Sequence, residues 1–222
     1  MKIPLSTRLA ACCRFVPHGA RVADVGCDHG YLSIYLLKNG IASHAYASDV
    51  AEGPLQSAMR NARKFGVAEH ISFYLSDGVK NVPRDFDTLV CAGMGADTMV
   101  SILSAATWLK DGRYRLILQC QSKRELLRSY LSDNGWHIEE ESVLRDGRFL
   151  YTVMDVRYDP AAPRLTPAEI YFPPAMLVSP TEETGEYYDR VLFSLNRAVT
   201  NAGDAADPAL KNALEDLRGV TW

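Results

Sequence analysis

Apolar and polar positions along this chain follow two periods, and the switches between them divide it into elements. Short apolar runs at residues 21–26, 44–49, 71–76, 88–92 and 116–121 have the length and β-branched content of strands. Helical spacing fills the intervals. Leu32, Leu36 and Leu37 share a face over 31–39, which Gly40 ends. Leu55, Ala58, Met59 and Ala62 do so over 54–65, which Gly66 ends, and a further helix is predicted from about 97 to 109. Ser122-Lys-Arg-Glu125 has the form of a capping box ahead of Leu126, Leu127, Tyr130 and Leu131. Two β runs, 137–144 and 149–158, flank Asp146-Gly147, a hairpin turn signal. Alternating strands and helices imply a parallel sheet covered on both faces, here closed by an antiparallel hairpin. The fold expected is α/β and Rossmann-like, with seven strands.

The pattern changes after Asp159. Six prolines between 160 and 180 predict a linker-like connection. Ser179-Pro-Thr-Glu182 reads as a second capping box, with proline in the first helical position. Tyr188, Val191, Leu192, Leu195 and Val199 follow at helical spacing, and Asp207-Pro208 opens a last helix carrying Leu210, Ala213, Leu214 and Leu217. The expected division is a sheet domain over 1–160, then a linker and helical hairpin over 161–222. The first residues, MKIPLSTRLAACC, read as a short amphipathic helix and lack the continuous apolar stretch of a signal peptide.

Composition narrows the functional classes. The net charge is −3, and no apolar run reaches the ~20 residues of a membrane span. Residues 1–163 hold 19 Lys+Arg against 18 Asp+Glu, whereas 164–222 hold 5 against 9. The acidity lies in the tail, and a basic face on the first part is neither required nor excluded. The five cysteines form no Cys-x-x-Cys pair and the five histidines are scattered. Reduced thiols in a cytoplasmic protein without a metal are the expectation.

The segment that carries chemistry is Asp24-Val-Gly26-Cys27-Asp28-His29-Gly30-Tyr31, placed between a strand and a helix. Glycines there let a backbone turn with positive φ and approach a ligand. A dinucleotide site needs G-x-G-x-x-G, with the pyrophosphate on the helix N-terminus. This chain has G-x-D-x-G, and the Asp28 carboxylate would repel a pyrophosphate. S-adenosylmethionine (SAM) has no phosphate and carries a sulfonium and an ammonium, so carboxylates beside glycines suit it better. Asp49 ends the second strand about 20 residues further on, where an acid accepts the ribose hydroxyls, and Val50 follows it. Ser76-Asp77-Gly78 ends the third strand and can receive the adenine amino group. Ala92-Gly93-Met94-Gly95 ends the fourth, where flanking glycines allow extended backbone near a transferred methyl group. Asp24, Gly26, Cys27, Asp28, Gly30, Tyr31, Asp49, Val50, Ser76, Asp77, Gly78, Ala92, Gly93 and Met94 are therefore the expected cofactor residues.

These motifs, VADVGCDHGYLSIYLL, ASDV, SDG, FDTLVCAGMGADTM, LILQ, NGW and an Arg-rich hairpin, resemble those of the bacterial tRNA (adenine-22-N1)-methyltransferase family, from about Leu5 to the C-terminus. The resemblance implies a class I methyltransferase domain with a coiled-coil-like helical appendage, SAM as cofactor, tRNA as partner and Asp28 as the residue important for catalysis. Alanine at 96 and Cys120-Gln121 depart from the family's usual Gly-Met-Gly-Gly and Gln-Pro-Asn. Expected substrate contacts are His29, Met94, Gly95, Gln119, Arg145 and Arg148. Further phosphate-binding candidates are Lys2, Arg8, Arg14, Arg60, Arg63, Lys64, Lys123, Arg124 and Arg128. Rival readings are a small-molecule methyltransferase on the same fold and an inactive SAM- or RNA-binding protein; the glycine spacing disfavours an NAD oxidoreductase. The oligomeric state is left open, with a monomer as the simpler expectation.

Overall fold

The computed structural model describes residues 2–220. Seven strands form one sheet in the order β3-β2-β1-β4-β5-β7-β6. They are β1 (Ala20–Val25), β2 (Ala42–Asp49), β3 (Ile71–Leu75), β4 (Thr88–Met94), β5 (Arg115–Cys120), β6 (Trp136–Asp146) and β7 (Phe149–Tyr158). β1 to β5 run parallel, and β7 enters antiparallel between β5 and β6. β1 pairs with both β2 and β4, so the strand order reverses there. Ligands of open α/β sheets bind at the carboxyl edge beside such a reversal.

The strands read as continuous apolar runs because both faces are covered. Val22, Ala23, Leu89, Val90, Leu116, Ile117 and Leu118 are completely buried. On one face, α1 (Thr7–Arg14) and α2 (Tyr31–Lys38) share an apolar cluster with Val22, Val90, Ile117 and Val153. α3 (Glu52–Phe65) packs Leu55, Ala58 and Ala62 beside α2 on Ala45 and Ala47. α4 (Ala96–Ala105) and α5 (Arg124–Asp133) cover the other face.

The expected elements are all present, with differences that have local causes. The helix expected to run to 109 ends as α-helix at Ala105 and tightens into a 3-10 turn over Thr107–Leu109. Ser122 does not cap α5. Lys123 takes the N-cap position in a left-handed conformation, and the Ser122 carbonyl accepts from Ala96 N–H and the Cys120 thiol. The supposed linker is folded. Thr166 and Glu169 form a reciprocal capping box on α6 (Pro167–Tyr171), and Ala168, Phe172, Ala175 and Met176 are buried. Proline there fixes the start of a helix instead of preventing one. Thr181, not Ser179, caps α7 (Glu182–Ala202), paired reciprocally with Thr184, so Pro180 precedes the helix. α8 (Pro208–Arg218) folds back on α7, and both share an apolar cluster with Val143 and Leu150 of the β6–β7 hairpin.

Candidate active site

The first turn of the site leaves β1 between Val25 and Tyr31. Asp24 is buried one residue before the end of β1 and accepts a 2.7 Å hydrogen bond from the Ser33 hydroxyl. Burial pushes its carboxyl up from 3.8 to about 6; Ser33 opposes the rise and Asp49 adds to it. Ser33 was not among the expected residues. The signal was available, since it is a small polar residue on an otherwise apolar helix face.

Gly26 and Cys27 both donate to the Ser48 carbonyl at 2.9 Å, which ties the turn to β2. Gly26 has φ 70°, and an added Cβ would lie 2.3 Å from Met94 Cε, so a side chain here would displace Met94. Gly30, the N-cap of α2, has φ 71°, and an added Cβ would meet Ala58 Cβ of α3 at 2.9 Å. Asp28 between them has φ 48°, a conformation that Asp tolerates better than most residues. Its backbone N–H donates to Asp49 Oδ2 at 3.2 Å, and Ala51 N–H donates to Asp49 Oδ1 at 3.0 Å. Asp49 is thereby fixed with lone pairs to spare. The Asp28 side chain is 69% exposed, and His29 Nε2 lies 3.7 Å from its Oδ1. The His29 ring is 5.8 Å from that of Tyr31, at the first position of α2. Cys27 is buried, and desolvation followed by Asp24, Asp49 and Asp28 pushes its thiol up, so it stays neutral and is a packing residue.

The remaining expected residues line the same edge. Ser76 is buried and its hydroxyl caps Asn81 N–H at 3.0 Å; its own N–H donates to the Asp49 carbonyl at 2.9 Å. Asp77 is exposed and paired with Lys80, and the Gly78 carbonyl accepts from Ser48. Val50 is 69% exposed, an apolar surface directly after Asp49. Ala92, Gly93, Met94 and Gly95 are half-buried. Asp24, Asp49 and Asp77 thus stand at the ends of β1, β2 and β3, spanning two strand spacings or about 10 Å.

A family model described as "Methyltransferase domain" matches residues 5–154. The chain belongs to this methyltransferase family. The chain is 34% identical over 154 residues to the Bacillus subtilis tRNA (adenine(22)-N(1))-methyltransferase, a match covering 69% of this chain and 65% of that protein. The chain therefore spans just under two thirds of that curated relative. A solved B. subtilis methyltransferase of the same tRNA adenine is 28% identical at TM-score 0.81, covering 98% of this chain and 95% of that one. A Streptococcus pneumoniae protein crystallised with S-adenosyl-L-methionine is also 28% identical at TM-score 0.81, covering 96% and 98%. The sheet and its covering helices accordingly have the class I methyltransferase fold, and the likeness to these solved structures extends over the C-terminal helices as well.

Two parts of the expected substrate surface sit elsewhere in this methyltransferase. Gln119 is completely buried; its Oε1 accepts from Gly93 N–H at 3.0 Å and from Arg8 Nη1 at 3.1 Å, so it shapes the fourth-strand turn from behind. Arg145 and Arg148 lie at the hairpin tip. Arg145 is paired with Glu186 of α7, and Arg148 lies over the Phe149 ring at 4.9 Å. The tip projects past the carboxyl edge, since Met154 is level with Leu118, but it stands several strands from β1. Arg128 is not a surface cation. It is completely buried, with two bonds to Glu141. Between α5, the hairpin tip and α7 lies a cleft of about 420 Å³, lined among others by Arg124, Phe149, Tyr171, Tyr187 and Arg190. Arg124 donates to the Leu150 carbonyl, has no carboxylate partner among the described residues, and keeps a buried Nε without a hydrogen bond.

Proposed function

We propose that this chain is a SAM-dependent methyltransferase that modifies N1 of an adenine in tRNA, adenine 22 by its likeness to the B. subtilis enzyme. The observation that carries the reading is the row of carboxylates Asp24, Asp49 and Asp77 along the strand ends, set beside glycine turns with positive φ. The match to solved tRNA-methyltransferase and SAM-bound relatives over nearly their whole length supports it.

The residues fit the cofactor end by end. Asp77, with the neighbouring Gly78 backbone, receives the adenine amino group. Asp49 accepts the ribose hydroxyls, and the exposed Val50 offers a face to the base. Asp24, buried and braced by Ser33, attracts the methionine ammonium. When bound, SAM supplies a methyl group on a sulfonium. The domain's own residues do the rest. Gly93, Met94 and Gly95 leave room for the target base above β4, and Gln119 holds that turn from below. Adenine N1 needs no strong base, because its lone pair is free once the nucleotide leaves its stack. The ring gains positive charge as N1 is methylated. The exposed Asp28 carboxylate, kept on its left-handed turn by Asp49, accepts from the exocyclic amine and stabilises that charge. Phosphate contacts come from the exposed hairpin arginines Arg145 and Arg148 and from the half-buried Arg124.

Incubation with labelled SAM and unmodified tRNA, followed by nucleoside analysis, tests the reading. The expected product is 1-methyladenosine. A different methylated nucleoside, or turnover of small molecules without RNA, would reject the substrate assignment.

A further inference from the structure

A target base above the β4 turn sets a demand that the cofactor residues do not meet. Its N1 must face the sulfonium, and it must be told apart from guanine. Adenine offers a second edge for this purpose, with an amine hydrogen on N6 beside a lone pair on N7. Reading that edge takes one acceptor and one donor side by side. An ionised carboxylate has acceptors only and a guanidinium donors only, whereas a side-chain amide has both.

The strand order brings such an amide to the turn. β4 lies between β1 and β5, so a base over β4 has the β1 turn with Asp28 on one side and the segment after β5 on the other, each about 5 Å away. That segment begins Gln121-Ser122-Lys123. Gln121 N–H donates to the Met94 carbonyl at 2.8 Å, which ties the residue to the fourth-strand turn. Its Nε2 lies 3.6 Å from the point where a Cβ on Gly93 would be, so the amide rests against that turn. Gln121 is exposed, and its amide has no hydrogen-bond partner among the described residues.

The neighbouring polar groups do not fit the task. Gln119, two residues earlier, is completely buried and accepts from Gly93 N–H and Arg8. Arg8 also approaches Gly93 but offers no acceptor. Lys123 is paired with Asp97. The Ser122 hydroxyl, 3.0 Å from the Cβ point of Gly95, is a single oxygen and cannot span N6 and N7 together.

We propose that Gln121 holds the target adenine by its N6–N7 edge, with Oε1 accepting one N6 hydrogen and Nε2 donating to N7. The inference rests on the adenine-N1 reading above. It leaves the second N6 hydrogen to Asp28 across the turn and keeps N1 free for the methyl group. It also disfavours guanine, which has acceptors at both O6 and N7, so either orientation of the amide sets one acceptor against another.

The test measures kcat/KM of the full chain on tRNA carrying adenosine or 7-deazaadenosine at the methylated position; the second base lacks the N7 lone pair. The wild type is expected to lose about 5-fold on the 7-deaza tRNA. Gln121→Ala is expected to lose about 10- to 100-fold on natural tRNA and nothing further on the 7-deaza form, with SAM affinity by calorimetry unchanged. Gln121→Glu has acceptors alone and is expected to reverse the preference, favouring the 7-deaza base. A wild type indifferent to N7, or a Gln121→Ala variant that keeps the wild-type rate or the wild-type sensitivity to N7, overturns the inference. Weakened SAM binding in Gln121→Ala overturns it in favour of a brace for the fourth-strand turn. A wild-type chain that makes no 1-methyladenosine on natural tRNA overturns the substrate reading, and this inference with it.

Discussion

Arg128, where the C-terminal helices dock, and Arg8, at the carboxyl edge, are both removed from bulk water to different degrees. Arg128 makes five hydrogen bonds, two to Glu141, one each to the Ile170 and Tyr171 carbonyls, and one to the Tyr187 hydroxyl. Burial works against its charge, but Glu141 and Tyr187 outweigh it and hold the guanidinium ionised. Among the described residues Arg8 makes one side-chain hydrogen bond, to Gln119. The same contrast holds among the acids. Glu141 is consumed by Arg128, whereas Asp28 and Asp77 remain mostly in solvent. A region whose polar groups are satisfied internally holds structure together, because a buried unpaired group is costly. A region whose polar groups keep free donors and lone pairs, on glycine turns with positive φ, is prepared for a ligand.

The contrast can be broken most forcefully at the docking face. Arg128→Ala leaves Glu141 buried without its partner and is expected to lower unfolding stability by about 3–5 kcal/mol. Urea denaturation followed by tryptophan fluorescence measures it. A loss below about 1 kcal/mol would mean that the network is incidental to the docking of α6 and α7. At the carboxyl edge the same kind of change should leave stability almost untouched. Asp28→Ala is expected to lower kcat about 100-fold, or about 2.7 kcal/mol, with the SAM dissociation constant and the melting temperature nearly constant. Loss of SAM affinity with normal turnover at saturation would assign Asp28 to binding instead.

Asp24 combines the two regimes, being buried like Glu141 but reserved for a ligand, and its titration sharpens the comparison. Burial raises its folded-state value from 3.8 to about 6. A raised carboxyl favours the protonated fold, so its contribution to folding stability is fully present below pH 3.8 and is lost as pH rises through about 6. Attraction of an ammonium needs the ionised form, so SAM affinity should move the other way. It is expected to climb as pH rises toward 6 and to level off above it, with roughly a tenfold loss per unit below. Calorimetry at pH 5, 6, 7 and 8 in one ionic strength checks this; a flat profile would remove Asp24 from the ammonium contact.

The smallest effect is expected in the cleft beside α7. If Arg124, which has no carboxylate partner among the described residues, meets RNA there, Arg124→Gln should weaken tRNA binding a few-fold at moderate salt. It should also reduce the slope of log affinity against log salt by about 1. Filter binding over a salt series measures both, and an unchanged slope would place the RNA path elsewhere.

The sequence by itself determined the sheet, the order of strands and helices, and the row of acids at the strand ends. Strand periodicity, glycine stops and strand-terminal aspartates are local signals, and β1 to β5 followed them closely. It did not determine how the prolines of 160–180 would be used. Thr166 and Glu169 turned one of them into a helix start, and burial of Phe172 and Met176 made the supposed linker part of the core. Nor could spacing show that Ser33 braces Asp24, that Arg128 is buried on Glu141, or that Arg8 reaches Gly93 across more than 80 positions. Those pairings depend on which elements the strand order brings together, and a side chain's charge becomes structural or available only when its neighbours in space are fixed.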